Sequence, residues 1–213
     1  MIKKYDKIRN EYKKKKLSKK IVHPDPFKEF TLWMDEAIKS GVIDPTAFSL
    51  ATAGKNLQPS NRIVLLKEIQ NGGFIFFTNY KSKKGHQLAE NPYGSMLFFW
   101  PELEKQIRIE GRIEKTSKEI SDSYYLTRPA KRRIGAWASP QSKEIPNREY
   151  LEKLQADYEK KFEGKPPERP DHWGGFILIP YTFEFWQGRA NRLHDRIEYY
   201  LDDNDWKLRR LAP

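Results

Sequence analysis

Apolar positions recur at helical spacing near the start of this chain and gather into short β-rich runs from Ala47 onward. Asp25 and Pro26 read as the N-cap and first position of a helix, in which Phe27, Phe30, Met34, Ala37 and Ile38 share a face until Gly41 closes it. The runs "AFSLATA", "RIVLLKEI", "GFIFFTN", "GSMLFFW", "QIRIEGRI", "GGFILIP", "TFEFWQG", "RIEYYL" and "WKLRRL" are rich in β-branched and aromatic residues and predict strands. Short joins with turn residues, "QNGG" at 70–73 and "DDND" at 202–205, favour antiparallel hairpins over βαβ crossovers. The expected class is mainly β, an antiparallel barrel or sandwich with flanking helices. Two of those helices fall near 117–127, with Thr116 and Glu119 in capping-box spacing and Pro129 beyond the end, and near 147–162, where Leu151, Leu154, Tyr158 and Phe162 share a face. "GKPPERP" at 164–170 is a loop.

A length of 213 residues suits one compact domain with a small appendage, and a Trp, Tyr and Phe content of 14% supplies apolar area in large flat side chains. The formal charge of +11 invites a nucleic-acid reading, but its distribution argues against one. Residues 1–20 hold ten Lys or Arg against Asp6 and Glu11, a net of +8, so the rest of the chain carries only +3. The expected organisation is a basic flexible arm over 1–24 and one domain over 25–213. Absence of cysteine removes disulfides and thiolate catalysis. No apolar segment follows the N-terminal charges and no run approaches a membrane span, so the expectation is a soluble cytoplasmic protein that neither enters a membrane nor binds nucleic acid.

Missing motifs narrow the chemistry. There is no GxGxxG after a strand, no GxxxxGK[ST] and no HExxH, and the four histidines lack metal-ligand spacing, so no metal site is expected. Four stretches remain. In "TNYKSKKGHQLAENP", Ser82 can cap a helix running to about Glu90, with Lys83 and Lys84 at its positive end, which suits either an anion site or a lysine-rich helix start facing water. In "RIVLLK", strict alternation puts Arg62 and Lys67 on opposite strand faces. In "SYYLTRPAKRRIGAWASPQS", Tyr124 and Arg128 stand four apart on a helix, as suits a planar anion or plain surface packing. In "FEFWQGRANRLHDR", Phe183, Phe185 and Gln187 alternate against Glu184 and Trp186, while Arg192 and His194 alternate to one face. Like charge pushes that histidine toward neutrality unless Asp195 or a ligand phosphate compensates.

Taken together with "WGGF" and the C-terminal "WKLRRLAP", these stretches closely resemble the pyridoxamine/pyridoxine 5'-phosphate oxidases, from roughly residue 25 to Pro213. The resemblance implies an FMN-binding split barrel that works as a homodimer with flavin at the subunit interface. It implies oxidation of pyridoxine or pyridoxamine 5'-phosphate to pyridoxal 5'-phosphate, with O2 as acceptor and H2O2 as product. Carried over by position, FMN meets Arg62, Ile63, Val64, Leu65, Leu66, Lys67, Phe77, Thr78, Lys83, Lys84, Gln106, Gln141, Ser142, Trp186 and Arg196. The substrate meets Lys67, Tyr124, Arg128, Arg132, Arg192 and His194, with Arg192 and His194 as the catalytic pair, and Arg9 and Tyr12 resemble the family's lid. Three positions depart from the family pattern: Phe77 for a common Tyr, Lys83 for a common Arg, and Arg132 for a small Ser against the substrate phosphate. The alternatives are a split-barrel FMN reductase with another substrate and a basic nucleic-acid-binding barrel that stacks bases on its aromatics.

Overall fold

The computed structural model describes residues 11–12 and 14–213, and Arg9 lies outside them. Five helices are described: α1 (Pro26–Lys39), α2 (Lys83–Glu90), α3 (Lys118–Thr127), α4 (Ala130–Ala138) and α5 (Arg148–Lys161). Nine strands accompany them: β1 (Ala47–Ala53), β2 (Pro59–Leu65), β3 (Glu68–Gln70), β4 (Gly73–Asn79), β5 (Tyr93–Trp100), β6 (Lys105–Lys115), β7 (Trp173–Gln187), β8 (Asp195–Asp202) and β9 (Asp205–Leu211). Hydrogen bonding orders the strands β2-β1-β5-β6-β7-β4-β3, and β8 pairs with β7 and β9. No described helix is long and apolar enough to cross a membrane.

The chain divides into two compact units. Unit 1 comprises residues 1–48, 96–110 and 181–213, and unit 2 comprises 49–95 and 111–180. In unit 1 the Asp25 side chain accepts from the Phe27 amide at 2.9 Å and starts α1, as expected. The buried stripe of that helix is Phe30, Trp33, Met34 and Ala37, and Ile38 is exposed. Trp33 takes the core position because its ring meets Phe185 edge-on at 5.1 Å, which turns Ile38 outward. Phe183 and Phe185 pack on the same side, and β8 and β9 close through Asp203 and Asn204, both at positive φ, the geometry of a two-residue hairpin turn.

Unit 2 is built around β4, which is buried on both faces and pairs antiparallel with β3 and β7. The turn into β4 uses Asn71 and Gly72, again both at positive φ, so "QNGG" forms the expected hairpin. Three expectations change here. Ser117, not Thr116, caps α3 through the Ile120 amide, because the Thr116 hydroxyl is engaged with Ser121 at 3.0 Å. Pro129 ends α3 but also opens α4, whose first turn donates the Arg132 and Arg133 amides to the Pro129 carbonyl. "GGFILIP" and "TFEFWQG" form one strand, since Pro180 falls between the β4 ladder, ending at Leu178, and the β8 ladder, beginning at Thr182. Neither ladder needs the N–H that proline lacks.

Candidate active site

Within unit 2 a cavity of about 540 Å³ opens among several elements. β2 contributes Ile63, Val64 and Leu65, β4 contributes Phe77 and Thr78, α2 contributes Lys84, and α3 contributes Tyr124 and Arg128 at its C-terminal end. Lys67, Arg132, Gln141 and Trp173 complete the polar and aromatic lining. Among the described residues, four cations line this cavity, Lys67, Lys84, Arg128 and Arg132, and no carboxylate does. Such a lining suits a ligand with anionic groups. Phe77 stacks on Tyr124 with centroids 3.8 Å apart and planes at 12°, and both rings lie nearly parallel to Trp173. The Arg128 guanidinium stands 4.5 Å from the Trp173 ring, and its Nη1 is buried without a hydrogen-bond partner. An unpartnered buried donor of this kind costs about 1–3 kcal/mol.

Lys84 is buried, and its Nζ donates to the Thr78 hydroxyl at 3.0 Å and to Ser82 Oγ and the Gln141 side-chain oxygen at 3.4 Å. Burial, and secondarily the nearby Arg62 cation, bring its pKa down to about 8. Arg62 does not line the cavity. Its guanidinium donates to the Leu50 carbonyl, Thr52 Oγ1, Ser60 Oγ and Gln87 Oε1, which ties β1, β2 and α2 together behind Lys84. The opposite-face conflict between Arg62 and Lys67 disappears because β2 ends at Leu65, so Lys67 is not governed by its alternation. The Lys67 amide donates to the Ile75 carbonyl at 2.9 Å, and this places the residue at the cavity.

The 186–196 stretch belongs to unit 1. It links β7 to β8, with Trp186 opposite Arg196 and Gln187 opposite Asp195. Arg192 does not share a strand alternation with His194. It ends a 3-10 turn, Ala190–Arg192, in which Asn191 and Arg192 both lie at positive φ. For residues with a Cβ this costs roughly 1 kcal/mol each and recurs where side chains are aimed for function. His194 stands beside Trp186 at 4.6 Å and Tyr12 at 5.7 Å, and its pKa lies below the usual histidine range, through burial first and the Arg192 charge second. Asp195 does not offset this, because its carboxylate pairs with Arg189 and Arg210. Arg196 is held by both Glu184 oxygens at 2.8 and 2.9 Å and by the Ala212 carbonyl, and Glu184 also takes Arg108.

Similarity to known proteins covers nearly the whole chain. A family described as pyridoxamine 5'-phosphate oxidase matches residues 34–158, and a pyridoxine 5'-phosphate oxidase C-terminal dimerisation region matches residues 173–213. The pyridoxine/pyridoxamine 5'-phosphate oxidase of Cupriavidus necator is 51% identical over 207 residues, 97% of each chain. The chain belongs to the pyridoxine/pyridoxamine 5'-phosphate oxidase family. The corresponding protein of Cytophaga hutchinsonii is 50% identical over 208 residues, again 97% of each chain. Among solved structures, PhzG from Burkholderia lata, in complex with tetrahydrophenazine-1-carboxylic acid, superposes with a TM-score of 0.86 at 32% identity, covering 91% of this chain and 95% of that one. A pyridoxamine 5'-phosphate oxidase-related, FMN-binding protein from Nostoc punctiforme shares the fold at a TM-score of 0.70 and 18% identity, covering 89% of this chain and 98% of that one. The mainly β architecture with flanking helices is the split-barrel class.

Of the residues carried over from the family pattern, the cavity gathers Ile63, Val64, Leu65, Lys67, Phe77, Thr78, Lys84, Tyr124, Arg128, Arg132 and Gln141. Leu66 is buried beside them, while Lys83 and Ser142 are exposed and do not line the cavity. Gln106, Trp186, Arg192, His194, Arg196 and Tyr12 belong to unit 1. Sequence reasoning missed Asn79, Gly135, Ala136, Ser139 and Trp173 as lining residues. The "WGGF" motif was the available signal for Trp173, and the overlooked helix α4 with its C-cap Ser139 hid three of the others. The same motif has a steric reason, since Gly175 lies opposite Phe77 and a Cβ there would meet Thr116 Oγ1 at 2.4 Å and the Phe77 ring at 2.9 Å. Gly175→Ala is therefore expected to displace Phe77 and disturb the aromatic stack. Ligand affinity of the cavity should drop about tenfold, the equivalent of ~1.4 kcal/mol. Calorimetric titration checks this, and unchanged affinity would refute the steric account.

Proposed function

We propose that this chain is an FMN-dependent oxidase that converts pyridoxine or pyridoxamine 5'-phosphate to pyridoxal 5'-phosphate, passing two electrons to O2 to form H2O2 and, when the substrate is the amine, with water supplying the aldehyde oxygen and ammonia leaving. The reading rests on the unit 2 cavity, whose four cations, lack of carboxylates and three parallel rings fit flat, phosphorylated molecules, and on family membership over nearly the whole chain. When bound, FMN supplies the two-electron chemistry that no side chain of this protein has. The chain's own residues bind and orient. Lys84, with Thr78 and Gln141 around its Nζ, is suited to the cofactor phosphate, and the β2 end with Lys67 to the flavin ring. Arg128, Arg132 and Tyr124 form a separate cationic edge suited to the substrate phosphate. Arg192 and His194 are assigned to the substrate ring, and Trp186 and Arg196 to the flavin. The match to a dimerisation region over residues 173–213 supports a homodimer with flavin at the subunit interface.

Anaerobic addition of pyridoxine 5'-phosphate to the FMN-loaded protein tests the reading by visible absorbance. Bleaching of the flavin band is expected. A band that stays yellow would transfer the function to a flavin reductase acting on another substrate, a reading to which Arg132, bulkier than the usual Ser, lends some weight. A second expectation separates the residue roles. His194→Ala should lose about 10- to 100-fold in kcat/KM, the range of one hydrogen bond to a charged or developing-charge partner, while purifying with its flavin. Loss of flavin from that variant, with normal turnover after FMN is restored, would reverse the assignment.

A further inference from the structure

A second cluster lies in unit 1 around Asp195, the residue that opens β8 and is only 7% exposed. Its Oδ2 accepts from the Leu17 amide at 3.0 Å and stands 3.5 Å from Arg189 Nε, and its Oδ1 pairs with Arg210. Both guanidiniums continue to the N-terminal segment. Arg189 donates to the Lys15 carbonyl at 3.1 Å and Arg210 to the Leu17 carbonyl at 3.3 Å. One carboxylate thus joins three stretches of chain that are far apart in sequence: residues 15–17, the loop after β7, and the last strand.

The loop held in this way carries a specific contact. The Arg189 main-chain N–H donates to Nδ1 of His194 at 3.1 Å. A ring nitrogen that accepts a hydrogen bond bears no proton, so a neutral imidazole in this position carries its proton on Nε2. The surroundings agree. Arg192 presents a positive charge to the ring, the Asp195 carboxylate is committed to two guanidiniums, and the remaining neighbours are the Trp186 and Tyr12 rings. Tyr12 fits there because residue 188 is glycine, where a Cβ would lie 2.7 Å from the Tyr12 ring.

We propose that Asp195 is a positioning residue: by clamping Arg189 to residues 15–17 it holds the Arg189 amide against Nδ1 and fixes His194 as the Nε2–H tautomer. His194 then offers its ligand a hydrogen-bond donor, and it is not the base that removes a proton. That the ligand is the oxidisable substrate rests on the oxidase reading above, whereas the tautomer and the clamp do not.

The test is a long-range proton–nitrogen correlation spectrum of the FMN-loaded protein labelled with 15N-histidine, with His194 assigned by its loss in His194→Gln. The expected result is a bare Nδ1 and a protonated Nε2 from about pH 7 to about pH 8, on the alkaline side of an ordinary histidine. Asp195→Asn keeps the shape and removes the charge. It should give His194 nitrogen shifts averaged between tautomers and kcat/KM about tenfold lower, a change of ~1.4 kcal/mol carried by KM, with flavin content unchanged. Asp195→Glu should restore most of both. A merely structural residue would lower Tm and leave the tautomer alone. An Nδ1–H or imidazolium form in the parent protein, or a single Nε2–H form persisting in Asp195→Asn, would overturn the proposal. Arg210→Met, at a half-exposed side chain, loosens the same clamp and is read the same way if Asp195→Asn does not fold. Because the spectrum needs no turnover, a protein that shows the Nε2–H form yet fails to oxidise pyridoxine 5'-phosphate contradicts the oxidase reading and leaves this proposal standing.

Discussion

Arg128→Ala is expected to lower kcat/KM for pyridoxine 5'-phosphate by about 30-fold or more, mostly through KM, because removing one member of a buried charged hydrogen-bonded pair costs roughly 2–5 kcal/mol. The guanidinium sits at the end of α3, half-buried over Trp173, with Nη1 shielded from water and no protein acceptor in reach. The residue lines the cationic cavity, so a substrate phosphate held there meets a charged, partly desolvated guanidinium. Flavin content should stay at the parent level, since Lys84 and the β2 end are untouched. Arg128→Lys should recover only part of the loss, because an ammonium cannot offer two parallel N–H groups. Steady-state kinetics beside the flavin absorbance of the purified variant decide the matter. A loss below about threefold, under 1 kcal/mol, would remove Arg128 from the substrate edge.

Lys84→Ala should weaken FMN binding by about 10- to 100-fold, the ~1.5–3 kcal/mol of a hydrogen bond to a charged group. The parent protein should show the same dependence through pH. With its pKa brought down to about 8, Lys84 carries its charge below that pH and loses it above. Affinity for a phosphorylated cofactor is therefore full on the acid side and falls as pH rises through that value. Binding near it should take up a proton, because a bound phosphate favours the ammonium form. Calorimetry in two buffers of different ionisation enthalpy measures that uptake, and pH-independent affinity from about 7 to 9 would show that Lys84 does not face the phosphate. Arg62→Ala should also reduce flavin retention, by a different route. The four acceptors of its guanidinium join β1, β2 and α2, so this variant should lose thermal stability as well.

Much of the architecture was legible because it is local. Asp25 and Pro26 start a helix by capping chemistry, and Asn71-Gly72 and Asp203-Asn204 close hairpins because those residues tolerate positive φ. The strands "AFSLATA" and "GFIFFTN" appear with the limits their composition suggested. The misreadings were of another kind. Pro129 serves as both a stop and a start, and Pro180 passes through a strand because two ladders change over beside it, neither of which shows in a local pattern. Arg192 left its expected alternation because the backbone turns through two left-handed residues before β8.

By itself the sequence determined the fold class, the family and the residue types of the candidate site, since capping, turn chemistry and motif order act over a few neighbouring residues. Only the tertiary structure decided which cations share one cavity and which also hold internal partners. Arg62 and Arg196 read as ligand-binding arginines; Arg62 also donates to four internal acceptors and Arg196 to Glu184 and a carbonyl, while Arg128 has a buried Nη1 without a hydrogen-bond partner among the described residues. The physical reason is that a charge's availability depends on burial and on acceptors brought in from distant parts of the chain, and neither is encoded at the position of the charge itself.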